Sequence, residues 1–141
     1  MKLVVPDASV LLKWVLPEEG EPNVEQAIAL RDAFLAGRIL LRVPPLWFYE
    51  AGNVLVGRYS DSASERLAAL ASFRIPEARP YPAWREQIIA IATNYRVTFY
   101  DATYHALAVV LGGVLVTADD KYHRKVAPAP QVLPLARWSL S

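Results

Sequence analysis

The sequence predicts an α/β domain with a central, mainly parallel sheet flanked by helices. Two observations carry that expectation. Short apolar segments of strand length, at residues 2–5, 39–43 and 114–117, alternate with longer segments whose apolar residues recur at helical spacing. Proline, glycine and acidic clusters punctuate the boundaries between them. There is no internal repeat and no linker long enough to divide the chain, so residues 1–141 are expected to form a single domain.

Residues 2–5 form a short run, apolar after Lys2 and rich in β-branched side chains, stopped by Pro6, as a buried strand ending in a turn would be. Asp7, Ala8 and Ser9 open a second apolar stretch at 10–16, closed by Pro17. The acidic residues 17–22 contain Gly20 and read as a loop. Between 24 and 36, apolar residues fall at 24, 27, 28, 30, 34 and 35, and Gly37 stands where a C-cap belongs. That pattern predicts an amphipathic helix. Residues 39–43 have strand character, and Pro44-Pro45 both ends it and suits the first turn of a helix over 46–59. A further helix is expected at 62–73, where Ser62 and Glu65 have capping-box spacing. An extended, proline-containing connector at 75–82 leads to a helix at 83–95. Residues 96–100 read as extended, with Asp101 preceding a helix from 102 to 111 that Gly112-Gly113 stops. Residues 114–117 are the second strong strand. The last strand candidate, 131–135, belongs at a sheet edge because prolines 128, 130 and 134 bar it from the centre.

With 54% hydrophobic and 21% charged residues, the chain has material for a proper core and does not resemble a disordered tail. It contains no cysteine, which excludes disulfides, thiol catalysis and cysteine-ligated zinc or iron–sulfur centres. Lys2 is followed by only three apolar residues before Pro6, so no secretory leader is expected. The longest charge-free run, 102–118, contains Gly112-Gly113 and fits a helix, a turn and a strand better than a membrane span. A cytoplasmic protein with no membrane association is expected. The formal charge of +1, from 15 basic and 14 acidic residues, would ordinarily argue against a nucleic-acid partner.

Most catalytic chemistries lack their residues. No G-x-S-x-G elbow accompanies His105 or His123, no Walker or G-x-G-x-x-G loop occurs, and no helical two-histidine zinc motif is available. Four carboxylates remain. Asp7 and Asp119 each follow a strand, and in a parallel sheet both emerge at the carboxyl edge, where such folds bind ligands. Glu50 lies one turn into the helix after 39–43, and Asp101 stands between an extended segment and a helix. Asp7, Asp101 and Asp119 also occupy N-cap positions, and capping, worth about 1 kcal/mol each, is sufficient reason for an aspartate there. Glu50 is different, because it sits among Leu46, Trp47, Phe48, Tyr49 and Ala51 with no lysine or arginine between Arg42 and Arg58. An ionised side chain facing a core is costly unless paired. A shared cation would relieve that cost and the repulsion among the acids, and hard oxygen ligands suit Mg²⁺ or Mn²⁺.

Four segments then stand out together: V-V-P-D-A-S-V at 4–10, Y-E-A-G-N-V-L at 49–55, F-Y-D-A-T-Y-H-A-L-A at 99–108 and L-V-T-A-D-D-K-Y at 115–122. In this order and spacing, spanning nearly the whole chain, they resemble the PIN-domain ribonucleases, specifically the VapC toxins of prokaryotic toxin–antitoxin pairs. The resemblance implies a PIN-like fold and a Mg²⁺- or Mn²⁺-dependent endoribonuclease. Asp7, Glu50, Asp101 and Asp119 match the acidic quartet that holds one or two ions and carries catalysis. Ser9, Asn53 and Thr117 match polar positions that support the acids and the water they activate. Asp120 reads as a helix-start residue or as support for the site. In the two-metal version the ions stand roughly 3.5–4 Å apart and clamp the scissile phosphate. The implied substrate is single-stranded or looped RNA, cleaved to a 5′-phosphate and a 3′-hydroxyl. The implied partners are a VapB-type antitoxin, seated in a groove of the early helices, and a second copy in a homodimer. Trp14, Trp47, Phe48 and Tyr49 either line such a groove or are ordinary core.

Lys121, Arg124 and Lys125 follow Asp119 closely, and they either grip RNA phosphates or form a solvated helix face. Assigning four acids to a cation site leaves 10 against 15 basic residues, a remainder of +5. The near-neutral total then divides into an acidic pocket and a basic surround. A different class, a catalytically silent PIN-like or receiver-like binding module, also gathers acids at a sheet edge. A receiver would carry an adjacent acidic pair after its first strand, where here Pro6 precedes a single Asp7.

Overall fold

The structure, a computed structural model, describes residues 1–140; Ser141, the last residue of the expected domain, lies outside the described residues. In chain order the elements are β1 (Leu3–Pro6), α1 (Ala8–Leu12), α2 (Val24–Leu35), β2 (Leu40–Leu41), α3 (Leu46–Arg58), α4 (Ala63–Ser72), α5 (Pro82–Tyr95), α6 (Phe99–Leu111), β3 (Val114–Thr117), α7 (Asp120–Val126) and β4 (Val132–Pro134). The four strands form one sheet in the order β2-β1-β3-β4, every pair parallel. The α/β expectation is met.

The sheet is covered on both faces because its strands are apolar at every position except Thr117, at the end of β3. Val4, Leu41 and Val116 face one cluster, which holds α1, α2, α3 and Trp138. Val5, Leu115 and Val132 face the other, built from α5, α6 and α7. Neighbours along a strand thus serve opposite cores, as the period of two requires. Within the second cluster α6 is buried from Ala102 through Ala108, on all sides. A helix apolar all round belongs in the interior, and this one is packed between α5 and the sheet. Its C-terminus closes as the Gly112-Gly113 pair suggested. Gly112 is left-handed at φ 67°, and the Gly113 N–H donates to the Ala108 carbonyl at 2.8 Å.

Several local expectations are corrected. The 39–43 strand shrinks to Leu40–Leu41, since Val43 pairs instead with the connector, accepting from the Ala78 N–H at 2.9 Å and donating to Pro76 at 3.1 Å. The capping box at Ser62 and Glu65 does not form, because Ser62 Oγ accepts from Arg66 Nε at 2.8 Å rather than from the helix backbone. The extended segment 96–100 ends early, since Thr98 caps α6 by accepting from the Asp101 N–H at 3.0 Å. Phe99 and Tyr100 are therefore helical, and Asp101 lies inside the first turn. β4 is the edge strand its prolines required.

Among the aromatics singled out from the sequence, Trp14 and Trp47 are core. Their indole N–H groups donate to Ala27 O at 2.9 Å and to Glu77 Oε2 at 2.7 Å. Phe48 and Tyr49 are exposed, at 45% and 69%.

Two glycines give a matched test of the packing. A Cβ on Gly113 would stand 2.5 Å from the Leu3 carbonyl oxygen, where β1 and β3 close on each other, whereas one on Gly57 in α3 meets nothing within 4 Å. In urea denaturation Gly113→Ala is expected to lose about 1–3 kcal/mol and Gly57→Ala to gain about 0.5–1 kcal/mol.

Candidate active site

Parallel pairing of β1 with β3 puts Pro6 opposite Val116, so the residues that follow, Asp7 and Thr117, leave the sheet side by side. The Asp7 carboxylate closes that junction. Its Oδ1 accepts from the Ser9 and Val10 N–H groups at 3.1 and 3.3 Å and from the Ser9 hydroxyl, and so caps α1. Its Oδ2 accepts from Thr117 Oγ1 at 2.5 Å. The two hydroxyls in turn accept from the next strand end: Ser9 Oγ from the Ala118 N–H at 3.1 Å, Thr117 Oγ1 from the Asp119 N–H at 3.0 Å. Capping and site membership are thus not alternatives for Asp7. Burial outweighs these donors and, with Asp119 nearby, pushes its carboxyl up to about 6.

The other three acids arrive from different elements and line the same cavity, of about 200 Å³, with Asp7 and Ser9. Glu50 comes from the second turn of α3, Asp101 from the first turn of α6 and Asp119 from the cap of α7, where it accepts from the Tyr122 N–H at 3.0 Å. Burial raises the Glu50 and Asp101 carboxyls, and neighbouring acids raise them further: Asp7 and Asp101 for Glu50, Asp119 for Asp101. Lys125 partly offsets the effect at Asp101. Among the described residues, no three acidic or histidine side chains are drawn together as a ready-made cation cage. The arrangement is a shared acidic cavity whose walls repel one another.

The remaining candidates divide. Ser9 lines the cavity, and Thr117 is fully buried beneath it. Asn53 is exposed on α3, and Val54 occupies the cavity wall at that level instead; with Glu50 facing in, a residue four positions on shares its face better than one three on. Asp120 is the exposed first residue of α7. Lys121, Arg124 and Lys125 are exposed on α7, the helix whose Tyr122 lines the cavity, and Lys125 is near enough to Asp101 to act on its charge.

Two tyrosines went unread in the sequence. Tyr104 and Tyr122 both line the cavity, each three residues after an acid of the quartet, the helical spacing that would have placed them there. The Tyr122 hydroxyl bonds His105 Nδ1 at 2.7 Å. The Tyr104 hydroxyl is buried without a hydrogen-bond partner of full geometry. Burial, with Glu50 alongside, holds the Tyr104 phenol above its usual range, so it stays protonated as a donor beside the Glu50 carboxylate.

The family model of the PIN domain matches residues 4–127. The chain is 33% identical over 132 residues to "Ribonuclease VapC3" of Pyrobaculum aerophilum, covering 89% of this chain and 95% of the relative. It is 33% identical over 108 residues to "Exonuclease VapC9" of the same organism, covering 72% and 78%. A crystal structure from Pyrobaculum aerophilum superposes with a TM-score of 0.67 at 24% identity, over 96% of this chain and 90% of that one. A toxin–antitoxin complex from Klebsiella pneumoniae gives 0.63 at 18% identity, over 94% and 97%.

His105, behind Tyr122, offers a pH test of the packing. Burial lowers its imidazole to about 4, against 6.5 when free. Below 6.5 the unfolded chain takes up a proton that the folded chain refuses, so stability is lost as pH falls from 6.5 to 4. The difference in unfolding free energy between wild type and His105→Asn is expected to shrink by up to about 3 kcal/mol across that window. A difference that stays flat with pH would contradict a neutral, buried His105.

Proposed function

The chain belongs to the PIN-domain family and its curated relatives are of VapC type; from that premise we propose that it is the endoribonuclease toxin of a type II toxin–antitoxin pair. It would hydrolyse RNA phosphodiester bonds with Mg²⁺ or Mn²⁺ in the carboxylate cavity. The observation that carries this reading is that four acids from four separate elements face one cavity at the carboxyl edge of the sheet.

The donor set fits such an ion. Every acidic donor is a hard oxygen, and no sulfur or imidazole lines the cavity. At about 200 Å³ the space accommodates a cation that keeps several of its waters, as Mg²⁺ does, so direct ligation by all four acids is not required. Asp7, Glu50, Asp101 and Asp119 would hold it, with Ser9 and Thr117 keeping Asp7 in place. When bound, one or two such ions supply positive charge to the phosphate and lower the pKa of water. The protein contributes position: Asp7 is immobilised by its hydrogen bonds, and Asp119 by its cap. Lys121, Arg124 and Lys125 are placed to draw the RNA backbone toward an otherwise repulsive site. The exposed Phe48 and Tyr49 offer apolar area to a protein partner. A VapB-type antitoxin and a second copy of the chain are the partners proposed; the Klebsiella structural neighbour is itself a toxin–antitoxin complex. No helix among the described residues is long and apolar enough to cross a membrane, and a cytoplasmic location is proposed with the toxin reading.

The test is cleavage of a circular single-stranded RNA with Mg²⁺, with EDTA, and by Asp101→Asn with Mg²⁺. Linearisation is expected only in the first, with the other two at least about 100-fold slower. Equal rates in all three would sink the proposal, cleavage of linear RNA alone would indicate an exonuclease, and binding without cleavage a silent module. Separately, Lys121→Ala combined with Arg124→Ala is expected to weaken RNA binding uniformly across sequences. The log–log salt dependence should become shallower by roughly 0.7 for each phosphate that is no longer neutralised.

A further inference from the structure

The four acids are not equally fixed. Asp7 accepts four hydrogen bonds, Asp119 caps α7, and Asp101 lies beside the Thr98 hydroxyl and Lys125. Glu50 has the longest side chain, projects from a helix wall and has Asp7 and Asp101 pushing against its charge. The one side-chain donor beside it is the Tyr104 hydroxyl. Tyr104 is 3% exposed, lines the cavity and leaves that hydroxyl without a partner of full geometry. The contrast with Tyr122 is direct, because the Tyr122 hydroxyl is already engaged by His105. A buried O–H left unsatisfied is costly, and Glu50 is the side-chain acceptor beside it.

We propose that Tyr104 is a positioning residue that fixes the Glu50 carboxylate, by donating its hydroxyl hydrogen bond, in the orientation that receives the cation. The proposal rests on the reading of the cavity as a divalent-cation site. Its logic is that of hydrogen bonds behind a ligand, which select one orientation of a carboxylate and so lower the entropy lost on binding. The phenol suits this task because it donates without adding charge to a site that already holds four acids. Its position on α6, one turn beyond Asp101, ties the orientation of Glu50 on α3 to the helix that carries the third acid.

The experiment titrates Mn²⁺ alone into wild type, Tyr104→Phe, Glu50→Gln and the double variant by calorimetry, alongside thermal unfolding without metal. Tyr104→Phe is expected to bind Mn²⁺ about tenfold or more weakly, while its metal-free melting temperature is equal to or above that of wild type, since the ring remains and the hydroxyl it loses has no partner of full geometry. In the Glu50→Gln background the same substitution is expected to add no further loss, because Tyr104 acts through Glu50. RNA cleavage should show kcat reduced and KM unchanged. Wild-type Mn²⁺ affinity in Tyr104→Phe, or full additivity with Glu50→Gln, overturns the proposal and leaves the cation site standing. Failure of wild type to bind Mn²⁺ overturns both.

Discussion

The junction made by the Asp7 carboxylate is what the rest of the site depends on. Two adjacent parallel strands deliver Asp7 and Thr117 to the same edge, and one buried carboxylate then caps α1, takes the Thr117 hydroxyl and, through Ser9 and Thr117, organises the backbone that leads to Asp119. A neutral isostere would satisfy much of this network, yet the chain buries an acid whose carboxyl is pushed up to about 6. Folding alone gains nothing from that. A group kept at an electrostatic disadvantage by its surroundings, in a cavity with other acids, marks a candidate functional site.

Around that junction the fold works by recruitment from distance. α6 is buried from Ala102 through Ala108, packed between α5 and the sheet, and its exposed first turn carries Asp101 to the cavity beside the sheet edge. Glu50 reaches the cavity from α3, in the other hydrophobic cluster, which makes the cavity the place where the two cores meet at the end of the sheet. The acids therefore come from four elements supported by two separate packings. Their mutual repulsion is balanced by the burial of apolar residues elsewhere, which is non-directional and does not depend on the acids themselves.

Much of this was legible in the residues. The strand at 114–117, the Gly112-Gly113 stop and the proline-enforced edge strand follow from local backbone chemistry, which needs no tertiary context. Other features failed for identifiable reasons. Ser62 and Glu65 had the right spacing for a capping box, but Arg66, four residues on from Ser62, competed for the hydroxyl. Residues 96–100 looked extended because their side chains suit a strand, yet Thr98 supplied a helix cap that started the helix earlier. Trp47 and Tyr49 are two residues apart in an apolar run; one is core and the other is exposed, a division set by which side of α3 faces the first hydrophobic cluster.

The sequence by itself determined the fold class, the candidate acids and the edge to which two of them belong, because strand order and the parallel pairing rule force Asp7 and Asp119 to one end of a sheet. Only the tertiary structure decided which polar neighbours serve them. Ser9 and Thr117 lock Asp7, Asn53 turns to solvent, and Tyr104 and Tyr122 line the cavity, the Tyr122 hydroxyl engaged by His105 and the Tyr104 hydroxyl without a partner of full geometry. The physical reason is that a carboxylate's identity and chain position are local facts, whereas burial, hydrogen-bond geometry and repulsion between acids depend on how helices distant in sequence pack around the sheet edge.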